Sequence, residues 1–200
     1  PCYNERPNVA PMIAKLDAAL GGIDWEVIYV DDDSPDGTSA EVRRLLAGSA
    51  VPVVVDADGL AALGRVDRDP PEHAAPVVLT PHDGEYAGLM GHPPGPDRVA
   101  AARALASASE CVVLVKGPTT AVAEPGGRVV LATEGTPALA TAGTGDVLSG
   151  VLAAFLARGV PPLEAAGLAA HVHGRAGRAG PGSGTVAGDL PDLIARVLAG

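Results

Sequence analysis

The chain has 200 residues, of which 47% are hydrophobic, and a formal net charge of −10. This length and composition suit one α/β domain, or one domain and a fragment of another. Lysine and arginine form no run beyond Arg43-Arg44, which argues against nucleic acid or an anionic membrane as a partner. The longest uncharged apolar run, Val147 to Ala157, is too short to span a bilayer, and charges interrupt the first twenty positions. We therefore expect a cytoplasmic protein with no nucleic-acid and no membrane partner.

The first predicted elements are a helix, a strand and a second helix. Apolar residues recur at helical spacing over residues 8–20, and Gly21-Gly22 ends that pattern. A β-rich strand follows from Trp25 to Val30, and the turn Ser34 to Gly37 leads into a helix from Ser39 to Ala47. Three consecutive aspartates, Asp31 to Asp33, stand directly after this strand.

Short aliphatic strands alternate with helices in the middle of the chain. Unbroken aliphatic runs are typical of strands covered on both faces in a parallel sheet. The predicted strands are Val51 to Val55, Val77 to Leu79 and Val112 to Val115, with helices over Asp83 to Met90 and Asp97 to Ser107. Thr120 to Ala123 and Arg128 to Ala132 flank a Glu-Pro-Gly-Gly turn and predict a hairpin.

The last third of the chain is predicted to be helical. Helices are expected over Asp146 to Ala157, Pro162 to Gly174 and Asp189 to Leu198, the last with an aspartate cap. An order of alternating strands and helices, a hairpin and then helices predicts a three-layer αβα domain.

The segment ATAGTGDVLSG, Ala140 to Gly150, has the strongest chemical pattern. Gly143 and Gly145 flank Thr144 just before a helix, so bare amides and the positive end of the helix dipole converge where a phosphoryl oxygen could bind. Asp146, in the first turn, could accept a proton from a hydroxyl that attacks that phosphate. An ordinary glycine loop with an aspartate in the first turn would have the same pattern.

Two more polar segments follow predicted strands. Lys116 is one of only two lysines among 14 basic residues, and it stands at a strand end, where a compact charge could meet phosphate; a solvated terminal lysine is the alternative. In LTPHDGE, His82 and Glu85 would lie on one edge of a first helical turn, facing the crevice beyond the strand ends. A capping box, with Glu85 reaching back to the cap, is the alternative there.

Together these motifs resemble the ADP-dependent NAD(P)H-hydrate dehydratases, repair enzymes with a ribokinase-like fold. The resemblance runs over about residues 41–200 and is carried by VVVDADGL, LTPHDGE, VLVKGPTT, ATAGTGDVLSGVLAAFLARG and EAAGLAAHVHGRAG. It implies that ADP or ATP, with Mg²⁺, phosphorylates the ring hydroxyl of hydrated NADH or NADPH, and that loss of phosphate restores the dinucleotide.

The resemblance also implies roles for individual residues. Asp146 would be the catalytic base and contact the hydrate, as would His82, and Asp56 would face the same crevice as a substrate-binding residue. Glu85 would help to place Mg²⁺ through water, with no direct metal ligand. Asp58 is expected to cap the short helix that follows. The implied nucleotide-binding residues are Lys116, Gly117, Pro118, Thr119, Thr120, Gly143, Thr144 and Gly145.

The beginning of the chain resembles a different family. PCYNE, Pro1 to Glu5, and VDDDSPDGT, Val30 to Thr38, are similar to the start of family-2 glycosyltransferases of the dolichol-phosphate mannosyltransferase type. Asp56-Ala57-Asp58 has the form of the metal-binding DxD pair of such enzymes. It follows Asp31 by only 25 residues, which leaves no room for the additional strand and helix of that fold. We therefore predict a glycosyltransferase-like fragment over residues 1–40 and the C-terminal part of a ribokinase-like domain over residues 41–200.

This organisation implies a fold that is incomplete at its N-terminal side, because the dehydratases have further strands and a glycine-rich loop there. We expect low stability or self-association into a homo-oligomer, and reduced or absent turnover. Two alternatives remain: a nucleotide-sugar glycosyltransferase, and a non-catalytic nucleotide-binding remnant.

The cysteines and paired histidines indicate no metal site. Cys2 and Cys111 are far apart and lack a CxxC partner, and Cys111 is expected in the core. His171 and His173 would point roughly 200° apart on a helix, so they could not share an ion.

Overall fold

The computed structural model describes residues 38–200, together with Pro11, Ala14, Lys15 and Ala18, which are helical and exposed. The remainder of the first predicted helix, the predicted strand over residues 25–30, the acidic turn and Cys2 lie outside the described residues.

The described region alternates strands and helices in the predicted order. The helices are α1 (Thr38–Gly48), α2 (Asp58–Leu63), α3 (Asp83–Met90), α4 (Arg98–Ser109), α5 (Thr144–Ala157), α6 (Pro162–Ala179) and α7 (Leu190–Ala199). The strands are β1 (Val53–Val55), β2 (Val77–Leu79), β3 (Val112–Val115), β4 (Thr120–Ala123) and β5 (Val129–Ala132). Short 3₁₀ helices cover Pro137–Leu139, Gly182–Gly184 and Ala187–Asp189.

The five strands form one mixed sheet in the order β1-β2-β3-β4-β5. β1, β2 and β3 are parallel, and their carboxyl ends therefore meet at one edge of the sheet. The β3-β4 and β4-β5 pairs are antiparallel, which confirms the predicted hairpin. α3 and β2 to β4 have the predicted bounds.

Helices cover both faces of the sheet. Alternate strand residues such as Val55, Leu79 and Val113 pack against α2, α3 and α4 in one hydrophobic cluster. The intervening residues, such as Val54, Val78 and Leu114, pack against α5 and α6 in a second cluster. Because side chains alternate across a strand, these unbroken aliphatic runs supply both cores, which confirms the three-layer αβα class.

The start of β1 and the end of α6 differ from the predicted boundaries. β1 begins only at Val53, after an exposed Val51 and Pro52, which has no N–H to donate to a ladder. α6 continues beyond the predicted stop at Gly174 to Ala179. A Cβ at Gly174 would lie 2.6 Å from that of Glu134, so the lack of a side chain there lets Glu134 approach the helix. That glycine permits close packing within a helix and does not end it.

Both predicted aspartate caps differ from the structure. Ala57 occupies the N-cap position of α2, and Asp58 is the first helical residue, so the prediction that Asp58 caps the helix is wrong. Asp189 stands at the N-cap of α7, but its carboxylate accepts a hydrogen bond from the Val186 amide, 3.0 Å away, instead of from that helix. At the start of both helices, the backbone just before the helix has another arrangement than the predicted aspartate cap.

Cys111 lies in the core, as predicted. It is 1% exposed, and burial raises the pKa of its thiol to about 12, so it remains a protonated, apolar side chain. Within residues 38–200 and the four described residues before them, no helix combines the length and apolar character needed to cross a bilayer.

Candidate active site

Hydrogen bonds join the carboxyl ends of β1, β2 and β3. The amide and hydroxyl of Thr80 both donate to the Val55 carbonyl, and the Lys116 amide donates to the Pro81 carbonyl over 2.8 Å. The three segments that follow these strands, beginning with Asp56, Pro81 and Lys116, therefore lie side by side. This edge is the position at which open α/β sheets bind ligands.

A buried ion pair lies at the centre of this edge. Lys116 Nζ is 2.8 Å from Asp56 Oδ1, and Ser149 Oγ donates to Asp56 Oδ2 over 2.7 Å. Asp56 is 3% exposed, and the Lys116 side chain is 21% exposed. The alternative of a solvated terminal lysine is therefore wrong. A charge held this way, partly buried and aimed by a carboxylate, is suited to meet an anionic ligand.

His82 and Glu85 form a capping box and also face the site. His82 Nδ1 accepts hydrogen bonds from the amides of Gly84 and Glu85, and Glu85 Oε2 accepts from the His82 amide. Glu85 Oε2 is also 3.5 Å from Lys116 Nζ. Because Nδ1 accepts, a neutral His82 carries its proton on Nε2, which lies on an exposed side chain, 3.5 Å from Glu85 Oε1, and can be reached by a ligand. The capping box is therefore confirmed, and the pair also faces the site, whereas its role in binding stays a prediction.

A pocket opens beside the capping box, between α2 and α3. Its volume is about 370 Å³, and its lining is mainly apolar; Leu60, Leu89 and Gly88 line it together with His82 and Glu85. Its position next to His82 places an apolar surface beside a polar, proton-carrying group.

The glycine loop brings the start of α5 to the same point. Gly143 is the N-cap at φ 85°, a conformation that favours glycine, and no side chain caps the first-turn amides. A Cβ at Gly145 would lie 3.7 Å from both Asp56 Oδ2 and Lys116 Nζ, so the loop touches the ion pair. Asp146 is exposed in this first turn and has no hydrogen bond or ion pair within the described part of the chain.

Thr144 turns inward from that loop. It is 5% exposed, and its hydroxyl donates to the carbonyls of Leu139 and Thr141 over 2.6 and 2.9 Å. Its amide also donates to the Thr141 carbonyl over 3.3 Å. The side chain and the amide of Thr144 therefore both shape the loop.

The segment Lys116 to Thr120 turns immediately after β3. The Thr120 hydroxyl donates to the Gly117 carbonyl over 3.4 Å. Gly135 packs against the outside of this turn, where an added Cβ would lie 2.5 Å from the Pro118 carbonyl oxygen. Gly135 thus packs closely against the turn, and the Lys116 side chain extends from it toward Asp56.

Sequence reasoning missed two residues that contact this cluster. Ser149 lies one turn after Asp146 on α5, and Arg98, at the start of α4, donates to the Lys116 carbonyl. Each lies outside the local segment of its partner. Arg98 belongs to no motif that the sequence analysis singled out, and Ser149, although it lies within ATAGTGDVLSG, was given no role there. The spacing of Ser149 from Asp146, which puts it on the adjoining face of the same helix, was the one available signal.

His171 and His173 lie in different environments on α6. His171 is exposed, whereas His173 is 7% exposed, and its Nε2 is buried with no hydrogen-bond partner within the described residues. The pKa of His173 is lowered to about 4, chiefly by burial; a hydrogen bond with the Thr144 backbone opposes this, and the charge of Lys116 adds to it. His173 is therefore neutral beneath the glycine loop at ordinary pH.

We expect His173 to make folding stability depend on pH. Between pH 6.5 and about 4 the unfolded chain binds a proton that the folded chain excludes, so stability is full above pH 6.5 and falls toward pH 4. The loss should be about 2–3 kcal/mol. Urea unfolding at several pH values measures it. His173→Gln should flatten the curve in this range, whereas His171→Gln should leave it unchanged.

Comparison with known proteins agrees with this geometry. The family described as NAD(P)H-hydrate dehydratase matches residues 36–199. The chain belongs to this family. The family described as glycosyl transferase family 2 matches residues 1–59. Both resemblances seen in the sequence are thus found again, and the two matches overlap over residues 36–59.

The curated relatives are longer proteins. The chain is 47% identical over 169 residues to the bifunctional NAD(P)H-hydrate repair enzyme Nnr of Salinibacter ruber, a match that covers 82% of this chain and 31% of that protein. It is 44% identical over 166 residues to Nnr of Mycobacterium leprae, covering 82% of this chain and 34% of that protein. The chain therefore spans about a third of the length of these relatives.

Solved structures confirm the ribokinase-like fold. Bacillus subtilis YxkO, described as a putative kinase, has a TM-score of 0.73 and 28% identity, covering 96% of this chain and 78% of that chain. The ADP/ATP-dependent NAD(P)H-hydrate dehydratase from Bacillus subtilis, co-crystallised with ATP/Mg²⁺ and soaked with CoA, has a TM-score of 0.75 and 27% identity, covering 96% and 77%. A ribokinase-like superfamily protein from Enterococcus faecalis has a TM-score of 0.73 at 21% identity, covering 94% and 68%, and shows the fold alone.

Proposed function

We propose that this chain catalyses the ADP- or ATP-dependent dehydration of hydrated NADH or NADPH, a lyase reaction that repairs the nicotinamide nucleotide. One observation carries the proposal. The uncapped amides at the start of α5, the Asp56–Lys116 pair and the exposed Asp146 converge at the ends of three parallel strands. That set combines an anion site, a cation and an unpaired carboxylate, as transfer of a phosphoryl group to a hydroxyl requires.

The nucleotide would bind along two segments. Gly143 and Gly145 would offer backbone amides to the terminal phosphate, where the helix dipole favours negative charge. Thr144, whose amide donates to the Thr141 carbonyl, would contribute by holding the shape of that loop. The turn from Lys116 to Thr120 would hold the rest of the nucleotide, with the Lys116 ammonium near the phosphates and Gly117, Pro118 and Thr119 forming the wall. The Bacillus subtilis relative that was co-crystallised with ATP/Mg²⁺ supports this choice of nucleotide.

The hydrated dinucleotide would approach from the side of His82. The Nε2 proton of His82 suits the carboxamide oxygen or hydroxyl of the ring, and the pocket beside it offers an apolar wall. Asp146 would contact the ring hydroxyl directly. Asp56, which we retain as a proposed substrate-side residue, has both carboxylate oxygens engaged by Lys116 and Ser149, so its influence would pass through the lysine.

Two chemical steps complete the reaction. Asp146 accepts the proton of the ring hydroxyl as its oxygen attacks the terminal phosphorus; an O–P bond forms, and the bond to AMP, or to ADP when ATP is used, breaks. The ring nitrogen's electron pair then expels phosphate, and the neighbouring ring carbon loses a proton, which restores the dihydronicotinamide. Lys116 and the α5 amides hold the phosphoryl oxygens during transfer.

Mg²⁺ fits the carboxylates of the site only as an indirectly held ion. No group of three metal-ligating side chains occurs within the described residues, and Glu85 Oε2 already contacts the His82 amide and approaches Lys116. A magnesium ion commonly keeps several waters and takes its remaining ligands from substrate phosphates. Glu85 would therefore hold it through water. Bound there, the ion would neutralise charge on the transferring phosphoryl group.

The glycosyltransferase alternative is favoured by the family match over residues 1–59. Its metal-binding DxD pair would be Asp56-Ala57-Asp58. Asp56, however, is buried, and both of its oxygens are engaged inside the ribokinase-like unit. The described residues therefore favour the dehydratase reaction.

We also propose the organisation and setting of the chain. Residues 1–40 would be the glycosyltransferase-like fragment and residues 41–200 the ribokinase-like domain, with α1 running across position 40 as one helix. Nicotinamide nucleotide repair would take place in the cytoplasm. Light scattering tests the proposed homo-oligomer: a mass equal to the chain's 19.8 kDa at all concentrations would contradict it.

Recovery of reduced nicotinamide tests the function. The purified protein is incubated with hydrated NADH, ADP and Mg²⁺, and the absorbance of the dihydronicotinamide is followed. We expect recovery that requires nucleotide, with AMP and phosphate formed in equal amounts. ADP binding without recovery would instead favour the non-catalytic remnant. Selective binding of a nucleotide sugar would favour the transferase.

A further inference from the structure

We propose that Arg98 is a positioning residue that sets the shape of the nucleotide-binding turn and joins it to the substrate side of the site. This inference rests on the proposed function for its ligands, but its structural basis lies in three contacts of one guanidinium group. Arg98 stands at the first position of α4, which begins there because Asp97 caps the helix by accepting from the Ala100 amide over 2.9 Å.

The first two contacts hold the turn after β3. Arg98 Nη2 donates to the Lys116 carbonyl and lies 3.4 Å from the Val115 carbonyl oxygen. Fixing the Lys116 carbonyl also fixes the peptide plane that it shares with the Gly117 amide. The guanidinium thus determines the direction of the amide that leads into the nucleotide-binding turn.

Gly117 is complementary to this arrangement. An added Cβ there would lie 2.7 Å from Arg98 Nη2 and 2.9 Å from Cζ, so a side chain at position 117 would compete with the guanidinium for the same space. The absence of a side chain at Gly117 therefore matters for Arg98 as well as for any ligand.

The third contact reaches the other side of the site. Arg98 Nη1 is 2.8 Å from Asp83 Oδ1, and Asp83 directly follows His82 at the start of α3. One planar group therefore ties the turn after β3 to the helix start after β2. A fixed fork of donors can make such divergent contacts together, whereas a lysine ammonium on a flexible stem cannot.

The remaining donor of Arg98 favours a role in the site over a role in stability. The Nε atom is buried and has no hydrogen-bond partner within the described residues, and the side chain is only 19% exposed. A buried donor without a partner is unfavourable, and such groups in native structures call for a functional explanation. Arg103, five residues later on the same helix, is exposed and donates to the Gly127 carbonyl in the hairpin turn over 3.1 Å. It supplies a matched control.

The test measures the turn without ligand and then with ADP. In Arg98→Ala and Arg98→Lys, hydrogen exchange of residues 116–120 in the ligand-free protein should become at least about tenfold faster, and the Kd for ADP should rise about tenfold. At saturating ADP, kcat should change less than about threefold, because Asp146 and the α5 amides are untouched. Arg103→Ala should change none of these values.

Two further variants keep the test decisive if Arg98→Ala folds poorly. Asp83→Asn, which removes only the exposed partner, should raise the exchange rate and the Kd in the same direction but less. Gly117→Ala should weaken ADP binding in the wild-type background and have a smaller effect in Arg98→Lys, where the space is partly vacated.

Unchanged exchange in residues 116–120 of both Arg98 variants would overturn the inference, as would equal effects of Arg98→Ala and Arg103→Ala. Faster exchange in a protein whose wild-type form binds no ADP would support the positioning role and overturn the proposed function instead.

Discussion

Asp146→Asn should lower kcat for NADH recovery by about 100- to 10,000-fold, the usual contribution of a general base. Asparagine keeps the size and polarity of the side chain but cannot accept the hydroxyl proton. Because Asp146 is exposed at the first turn of α5 and its side chain makes no hydrogen bond or ion pair with another described residue, neither the fold nor the nucleotide site should suffer. We therefore expect the Kd for ADP to stay within about threefold. Steady-state kinetics and calorimetry measure the two quantities.

Asp192→Asn is the matched control for that substitution. Asp192 is likewise an exposed aspartate in the first turn of a helix, α7, and the loss of its charge there should leave kcat unchanged. Recovery that survives Asp146→Asn at more than about a tenth of the wild-type rate would rule out Asp146 as the base.

Lys116→Met should remove ADP binding and destabilise the fold by about 3 kcal/mol. Methionine fills a similar volume but leaves the carboxylate of Asp56, 3% exposed, with the Ser149 hydroxyl as its one remaining side-chain partner among the described residues. Breaking a buried pair from one side costs about 3–5 kcal/mol, and the 21% exposure of Lys116 places this pair at the lower end. Urea unfolding and ADP calorimetry measure the two losses.

Two further variants separate charge burial from general damage. Lys15→Met replaces the chain's other lysine, which is exposed, and should change neither stability nor binding. Adding Asp56→Asn to Lys116→Met removes the unpaired buried charge and should recover part of the lost stability without restoring ADP binding. Losses that simply add in the double variant would contradict the ion pair as the source of the effect.

These predictions depend on different parts of the same edge of the sheet. Asp146 acts at the reacting hydroxyl, Lys116 at the phosphates, and Arg98 through the turn that carries Lys116. Affinity and rate should therefore separate: Lys116 and Arg98 variants change ADP binding first, whereas Asp146→Asn changes kcat alone. If substitutions at Asp146, Lys116 and Arg98 all lowered the free energy of unfolding by the same amount, these residues would instead be important only for folding.

Local sequence was sufficient for the order of the elements in the described region and for the bounds of several of them. β2, β3, β4 and α3 have the bounds that their aliphatic runs and turn residues predict, because short buried strands and a capping box are encoded within a few residues. The parallel arrangement then places Asp56, His82 and Lys116 at one edge, since each directly follows a strand in that sheet. Thus the fold class and the neighbourhood of these motifs could be predicted without coordinates.

Only the tertiary structure shows which residues contact Asp56 and Lys116. Ser149 meets Asp56 across 93 residues, and Arg98 meets Lys116 across 18, on helices whose rotation no local pattern specifies. The same packing buries His173 while exposing His171, and it places Glu134 against Gly174 within α6. Local sequence determines periodicity and turns, whereas long-range contacts depend on how whole faces pack. The residues at the strand ends could therefore be predicted from the sequence. The Asp56–Lys116 ion pair, the inward-facing Thr144 hydroxyl and the contacts of the Arg98 guanidinium could not.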